Sequence, residues 1–210
     1  TFFNSAAVFA EAGFSCGVET GFGIMNGQIN EYVFSLPAAD SAETQYLLSR
    51  LDWDVKNIFY AGLSLDINIW DHLYLGFYGR AGFPKSSGVM QDYDWLNVET
   101  VGKKKEWYDS HHWLTNYSCH ENTVSKYLEG SFEIGGIINL TDDFFLMPSV
   151  SVQGRDISFD GENGYLQYVS DTNPDGSLQE WNPDIIQEKM AGKVLSYDFQ
   201  SFVSFASLNF

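Results

Sequence analysis

Residues 51–70, LDWDVKNIFYAGLSLDINIW, alternate apolar side chains with polar or small ones over twenty positions. Nine of the ten odd positions are apolar, from Leu51, Trp53 and Val55 to Ile67 and Ile69, and Asn57 is the exception. Period two is the signature of a β-strand whose faces meet different surroundings. A strand in a globular domain usually ends after about six residues. This one would span about 60 Å at roughly 3.3 Å per residue, whereas a hydrocarbon core needs only about 9–11 tilted residues. The length predicts a barrel strand that crosses a membrane and continues well beyond it.

Composition agrees with an all-β chain. Aromatic residues make up 17% of it, with 19 Gly and 5 Pro, so strand formers and turn formers are both plentiful. No apolar run approaches the roughly 18 residues of a membrane helix. A barrel escapes that criterion, because lipid-facing and lumen-facing residues alternate. The net charge of −17 argues against nucleic-acid binding, which calls for basic patches, and favours cationic partners by long-range steering.

The first twelve residues, TFFNSAAVFAEA, are not predicted to form a strand. They resemble the remnant of a secretory signal peptide, an apolar run followed by Ala10-Glu11-Ala12 as an A-x-A cleavage site. Residues 13–210 then form the N-terminal part of a single barrel domain. Cys16 and Cys119 fall at opposite ends of it, too far apart for a disulfide, whose Cα atoms lie within about 7 Å.

Five further segments, 14–24, 73–83, 127–140, 144–159 and 194–210, carry the same period. Arg80, Glu129, Glu133 and Asp198 all land on the face opposite the apolar one, as a polar lumen requires. The connections alternate long and short: 35–47, Asp71-His72, 84–122, Thr141-Asp142-Asp143 and 160–192. Outer-membrane barrels have short periplasmic turns and long extracellular loops, so the long connections are assigned to the outside. The fold class is therefore an all-β, antiparallel transmembrane β-barrel. Six strands are visible, and six cannot close a barrel of a kind that starts at about eight.

Three clusters at the long-loop end contain side chains able to do chemistry. Glu31 shares the odd parity of Glu19 and is expected to point into the lumen. Asp92 and Asp94, in Gln91-Asp92-Tyr93-Asp94-Trp95, share a face with Cβ atoms about 7 Å apart along a strand. Such a pair can hold a water or share a proton, which raises one pKa. Ser118 and His120 place a hydroxyl and an imidazole beside the next long connection. No metal-ligand set stands out. His72, His111 and His112 are expected to be solvated.

These residues and their order, Phe22-Gly23…Gly27…Glu31-Tyr32-Val33, then Leu48-Ser49-Arg50-Leu51-Asp52-Trp53, then Asp92-Tyr93-Asp94-Trp95, then Ser118…His120, resemble the omptin family. Those are ten-stranded outer-membrane endoproteases of Gram-negative bacteria. The resemblance implies that Asp92 and Asp94 position the water that attacks a peptide bond, and that Glu31 receives an Arg or Lys side chain of a protein substrate. It makes Ser118 and His120 accessory residues. The family's general base, a His two residues from an Asp, is expected in a later strand and loop beyond this chain. No cofactor is implied, and a requirement for lipopolysaccharide is left open, with Arg155 near a family lipopolysaccharide-binding position but out of register. The resemblance places the protein in the outer membrane with the site facing outward. A non-enzymatic surface barrel acting as an adhesin is the alternative, and it could keep the fold and the acidic rim without the base.

Overall fold

In the computed structural model, which describes residues 5–11, 14–35, 45–70, 72–100, 102–141 and 144–209, one antiparallel sheet carries nearly all the regular structure. Its long strands are β2 (Phe14–Ser35), β3 (Tyr46–Ile69), β6 (Asn116–Gly136), β8 (Phe144–Tyr168) and β10 (Lys193–Asn209). Between β3 and β6 lie β4 (Leu73–Gly82) and β5 (Lys85–Asp94), which both pair with those two neighbours and act as one interrupted strand. Short β7 (Ile138–Thr141) and β9 (Glu188–Lys189) pair with β8. Among the described residues, β10 pairs on one side only, so the sheet is an open arc of a barrel wall.

One strand was not expected. Ser5–Glu11 forms β1, running antiparallel to β2 from Glu11↔Phe14 to Ser5↔Thr20. The unpaired backbone along the edge of β2 outweighs the weak alternation of SAAVFAE. Ala12 of the expected cleavage motif, the turn residues Asp71, Asp142 and Asp143, most of the 35–47 connection and Phe210 lie outside the described residues.

The strands also extend further toward the long loops than their lipid-facing pattern indicated. β2 continues to Ser35, β8 to Tyr168, and the expected 84–122 connection contains β5 and the start of β6. In β3 the phase changes as well. In β3, Phe59 and Leu63 are exposed on the outside, whereas Trp53 and Val55, of the same parity, are buried inside with Ile58. The slip occurs at Lys56-Asn57, where the β2–β3 register shifts and Asn57 adopts φ 56°. Asn tolerates this left-handed conformation better than most residues. Neighbouring strands satisfy the displaced backbone groups. Asn26 Oδ1 accepts from Asn57 N–H at 2.7 Å, Ser87 Oγ accepts from Lys56 N–H at 2.7 Å, and Asn122 Nδ2 donates to the Asp54 carbonyl at 2.5 Å. Register shifts in β5 (Ser86/Val89) and β6 (Val124/Lys126) fall close by. Bulges in β3, β5 and β6 therefore form a belt across the middle of this arc, as is common at barrel rims and beside functional sites.

Below the belt the lumen is polar. Glu129, only 6% exposed, pairs with Arg80 at 3.2 Å and Arg155 at 2.7 Å, and accepts from the hydroxyls of Tyr78 and Tyr127. A buried carboxylate survives in this setting because each oxygen has cationic and hydroxyl partners. Arg155 thus faces the lumen and not the lipid. Asp198 departs from expectation in the other direction. It lies opposite Ser158 and accepts that hydroxyl's hydrogen bond, while its neighbours Tyr197 and Phe199 lie opposite the buried Phe159 and Ile157.

Above the belt the lumen is apolar. Trp53, Ile58, Met90, Val124, Ile157 and Phe159 form a buried cluster, with Trp53 5.7 Å from Phe159 between ring centroids. This plug is the floor on which the loop-end residues stand.

Candidate functional site

Cross-strand register assembles the site. In an antiparallel sheet, directly opposed residues share a face with Cα atoms about 4.5–5.5 Å apart. One row directly above the plug reads Glu31↔Leu51↔Asp92↔Ser118↔Leu166 across β2, β3, β5, β6 and β8. The next row, nearer the rim, reads Val33↔Ser49↔Asp94↔Asn116↔Tyr168. The row below is Ile29↔Trp53↔Met90↔His120, and its Trp53 and Met90 belong to the plug. Glu31, Asp92, Asp94, Ser118 and His120, scattered over ninety residues of chain, therefore share one lumenal face.

The aspartates do not have equal surroundings. Burial raises the Asp92 carboxyl, and the negative charge of Glu31 adds to that. Hydrogen bonds from Ser49 Oγ, at 3.1 Å, and from the Tyr93 backbone N–H oppose it. Asp94 is pushed up to about 6, first by burial and then by the charge of Asp92, with Glu99 adding to it and Ser49 opposing it. Two carboxyls in one partly desolvated site resist ionising together, so the pair keeps a proton up to about pH 6. Tyr168, from β8, has its phenol raised by burial and by the charges of Asp94 and Asp92, which places it on the same face. It stays a neutral hydrogen-bond donor there.

Ser118 lies directly opposite Asp92 and is almost fully buried. His120 is also buried, and its Nδ1 donates to the Asn163 carbonyl. Its ring is thereby oriented one row beneath the aspartates, on the side of the plug. Ser49, Glu99 and Tyr168 were not singled out in the sequence. Ser49 stands within the L-S-R-L-D-W run, but only the pairing of β3 with β5 reveals its position across from Asp94.

The chain does contain one Asp-x-His triplet, Asp109-Ser110-His111, contrary to the expectation that such a pair lies only beyond it. It sits at the end of helix α1 (Lys105–Ser110), in the loop after β5. Asp109 binds Lys105 Nζ at 2.5 Å and the Tyr46 hydroxyl at 2.6 Å. His111 stacks on Trp107 at 4.4 Å, with Nδ1 on the Trp107 carbonyl and Nε2 2.8 Å from Asp175. Both ring nitrogens are occupied, so this triplet supplies no base to the aspartates. His111 is part of a brace. Asn97 exchanges two hydrogen bonds with Leu178, Trp113 Nε1 donates to the Leu178 carbonyl, and Trp181 N–H donates to the Leu114 carbonyl. The loops after β5 and β8 are thereby tied together beside the site. Among the described residues, no group of three or more His, Cys, Asp or Glu side chains could hold a metal ion.

Comparison with known proteins adds three findings. The model of the omptin family matches residues 13–200. The plasminogen activator of Yersinia pestis is 35% identical over 112 residues, covering 51% of this chain and 31% of that protein. The crystal structure of the outer membrane protease OmpT from Escherichia coli superimposes with a TM-score of 0.65 at 15% identity, covering 92% of this chain and 57% of that one. The chain thus spans about a third and somewhat over half of these two relatives' lengths.

Proposed function

Because the chain belongs to the omptin family, we propose that the complete protein is an outer-membrane endopeptidase that cleaves beside Arg or Lys, using water held at Asp92 and Asp94. The row Glu31↔Leu51↔Asp92↔Ser118, with Asp94 in the row above, is the observation that carries this reading. It supports the reading because the Glu31 carboxylate, suited to a basic side chain, shares a face with the carboxyl pair. A substrate Arg or Lys drawn to Glu31 would bring the adjoining peptide bond toward the pair. Charge-assisted hydrogen bonds of this kind give selectivity as well as affinity. Asp92 and Asp94 would orient the water, and a His polarised by an Asp from the remainder of the barrel would take its proton. The long loops would face the outside of the cell.

The test is cleavage by the complete protein, refolded with and without lipopolysaccharide, of paired peptides differing only by Arg or Gln at one position. Cleavage of the Arg peptide alone is the expected result. Cleavage of neither would leave a non-enzymatic surface barrel as the better description. Orientation is read separately: cysteine labels at Asn173 or Ser110 should react with an impermeant reagent on whole cells, and one at Asp142 should not.

A further inference from the structure

We propose that Ser49 is a positioning residue that divides the labour between the two aspartates, fixing Asp92 as the carboxylate and leaving Asp94 as the acid. The inference rests on the endopeptidase reading for its catalytic consequence but not for its geometry. Ser49 lies directly across from Asp94 on β3, and its hydroxyl reaches diagonally to Asp92 Oδ1 at 3.1 Å. A hydroxyl has one proton to donate, and at 3.1 Å Ser49 gives it to Asp92, although its dipole also opposes the rise of Asp94. Asp92 also accepts from the Tyr93 backbone N–H. Two donors converge on Asp92, and hydrogen bonds to the charged form favour that form.

The other groups facing the pair divide: the Glu31 charge raises Asp92 and works against its ionisation, whereas burial and the Asp92 charge push Asp94 up to about 6. Glu31 on β2 acts on Asp92, while Glu99, from the 3-10 turn Leu96–Glu99, and Asp92 itself act on Asp94. Tyr168 on β8 contributes a neutral phenol, and His120 on β6 turns its Nδ1 away to Asn163. With Asp92 holding the Ser49 proton, the shared proton of the pair resides on Asp94. Asp92 can then accept a hydrogen bond from the attacking water, and Asp94 can donate one to the water or to the substrate carbonyl.

The experiment compares Ser49→Thr with Ser49→Val in the complete protein. The two side chains have nearly the same shape and suit a strand equally, so they differ in the hydroxyl. Carbon-13 titration of the aspartate carboxyls in micelles reads the division directly and needs no activity. Ser49→Val should move the Asp92 midpoint up by about one pH unit, the scale of one lost hydrogen bond, while Ser49→Thr should keep it. In peptide cleavage, Ser49→Val should lower kcat about tenfold with KM little changed. The acid limb of its pH–rate profile should move up, and Ser49→Thr should restore both. Unmoved carboxyl titrations in Ser49→Val overturn the proposal, even if kcat falls. Titrations that shift in a protein that cleaves nothing support the role of Ser49 and reject the endopeptidase reading instead.

Discussion

The two halves of β3 differ in what they turn inward. Below Asn57, Phe59 and Leu63 face out and the lumen is lined by groups such as Arg80, Glu129 and Arg155. Above it, Trp53 and Val55 turn in, and Arg50 and Asp52 form an ion pair at 3.1 Å, with Arg50 stacked over Tyr93 at 4.4 Å. The inversion follows the solvent. In lipid the outside must be apolar and the polar groups must satisfy one another within. Above the lipid the outside is water and the ordinary rule of an apolar interior returns. β3 obeys both rules by slipping its phase by one residue, which flips every side chain beyond the slip. This inversion is what desolvates the aspartates, because they stand on an apolar floor and not over an aqueous channel.

The sharpest way to break this contrast is substitution at Trp53 and Leu63, ten residues apart with equal parity. Trp53→Ala should destabilise the folded barrel by about 3–5 kcal/mol, the usual cost of emptying a large aromatic from a core. Leu63→Arg should cost about 2–4 kcal/mol, the penalty for a cation on the lipid face. Denaturant unfolding in lipid vesicles measures both. If Trp53→Ala were neutral, the apolar lumen above the belt would not exist.

Much of this was legible in the sequence, and most of what was not depends on how the strands pair. Asn57 is the one polar residue in the odd series of 51–70, and it marks the slip. Its meaning was hidden because the bulge is held by Asn26, Ser87 and Asn122 from three other strands. The spacing of Asp92 and Asp94 correctly put both on one face, and the parity of Glu31 correctly put it in the lumen, since β2 keeps its alternation. Ser49 could not be found that way, because its place depends on which strand β5 joins. Asp198 was misplaced because the odd positions of β10 were read as its lipid face, whereas the strand keeps one parity and Asp198 shares the outward face of the exposed Phe202 and Leu208.

Within the upper half, two smaller effects sharpen the picture of a desolvated acidic face. In the complete protein, Glu31→Ala should weaken kcat/KM on Arg or Lys peptides by about 1.5–3 kcal/mol, with peptides neutral at that position unaffected. Equal losses on both would remove Glu31 from substrate recognition. The smallest effect is on stability against pH. Asp94 is raised from 3.8 to about 6 in the folded protein. The folded state therefore binds a proton there that the unfolded chain has lost. That contribution is complete below about pH 4 and disappears as pH rises through about 6. Unfolding midpoints measured across that window should fall with pH, and Asp94→Asn should flatten the slope.

The most direct test of the account is the chemistry of the pair itself. If Asp92 and Asp94 hold the attacking water above the plug, replacing either with Ala in the complete protein should lower kcat by about 10²-fold or more, the scale of losing a positioned catalytic group. Both variants should still fold, as heat-modifiable migration on gels reports, because both positions lie above the bulge belt and outside the buried cluster. Wild-type kcat in folded Asp92→Ala and Asp94→Ala proteins would contradict the assignment of the water to these two carboxyls.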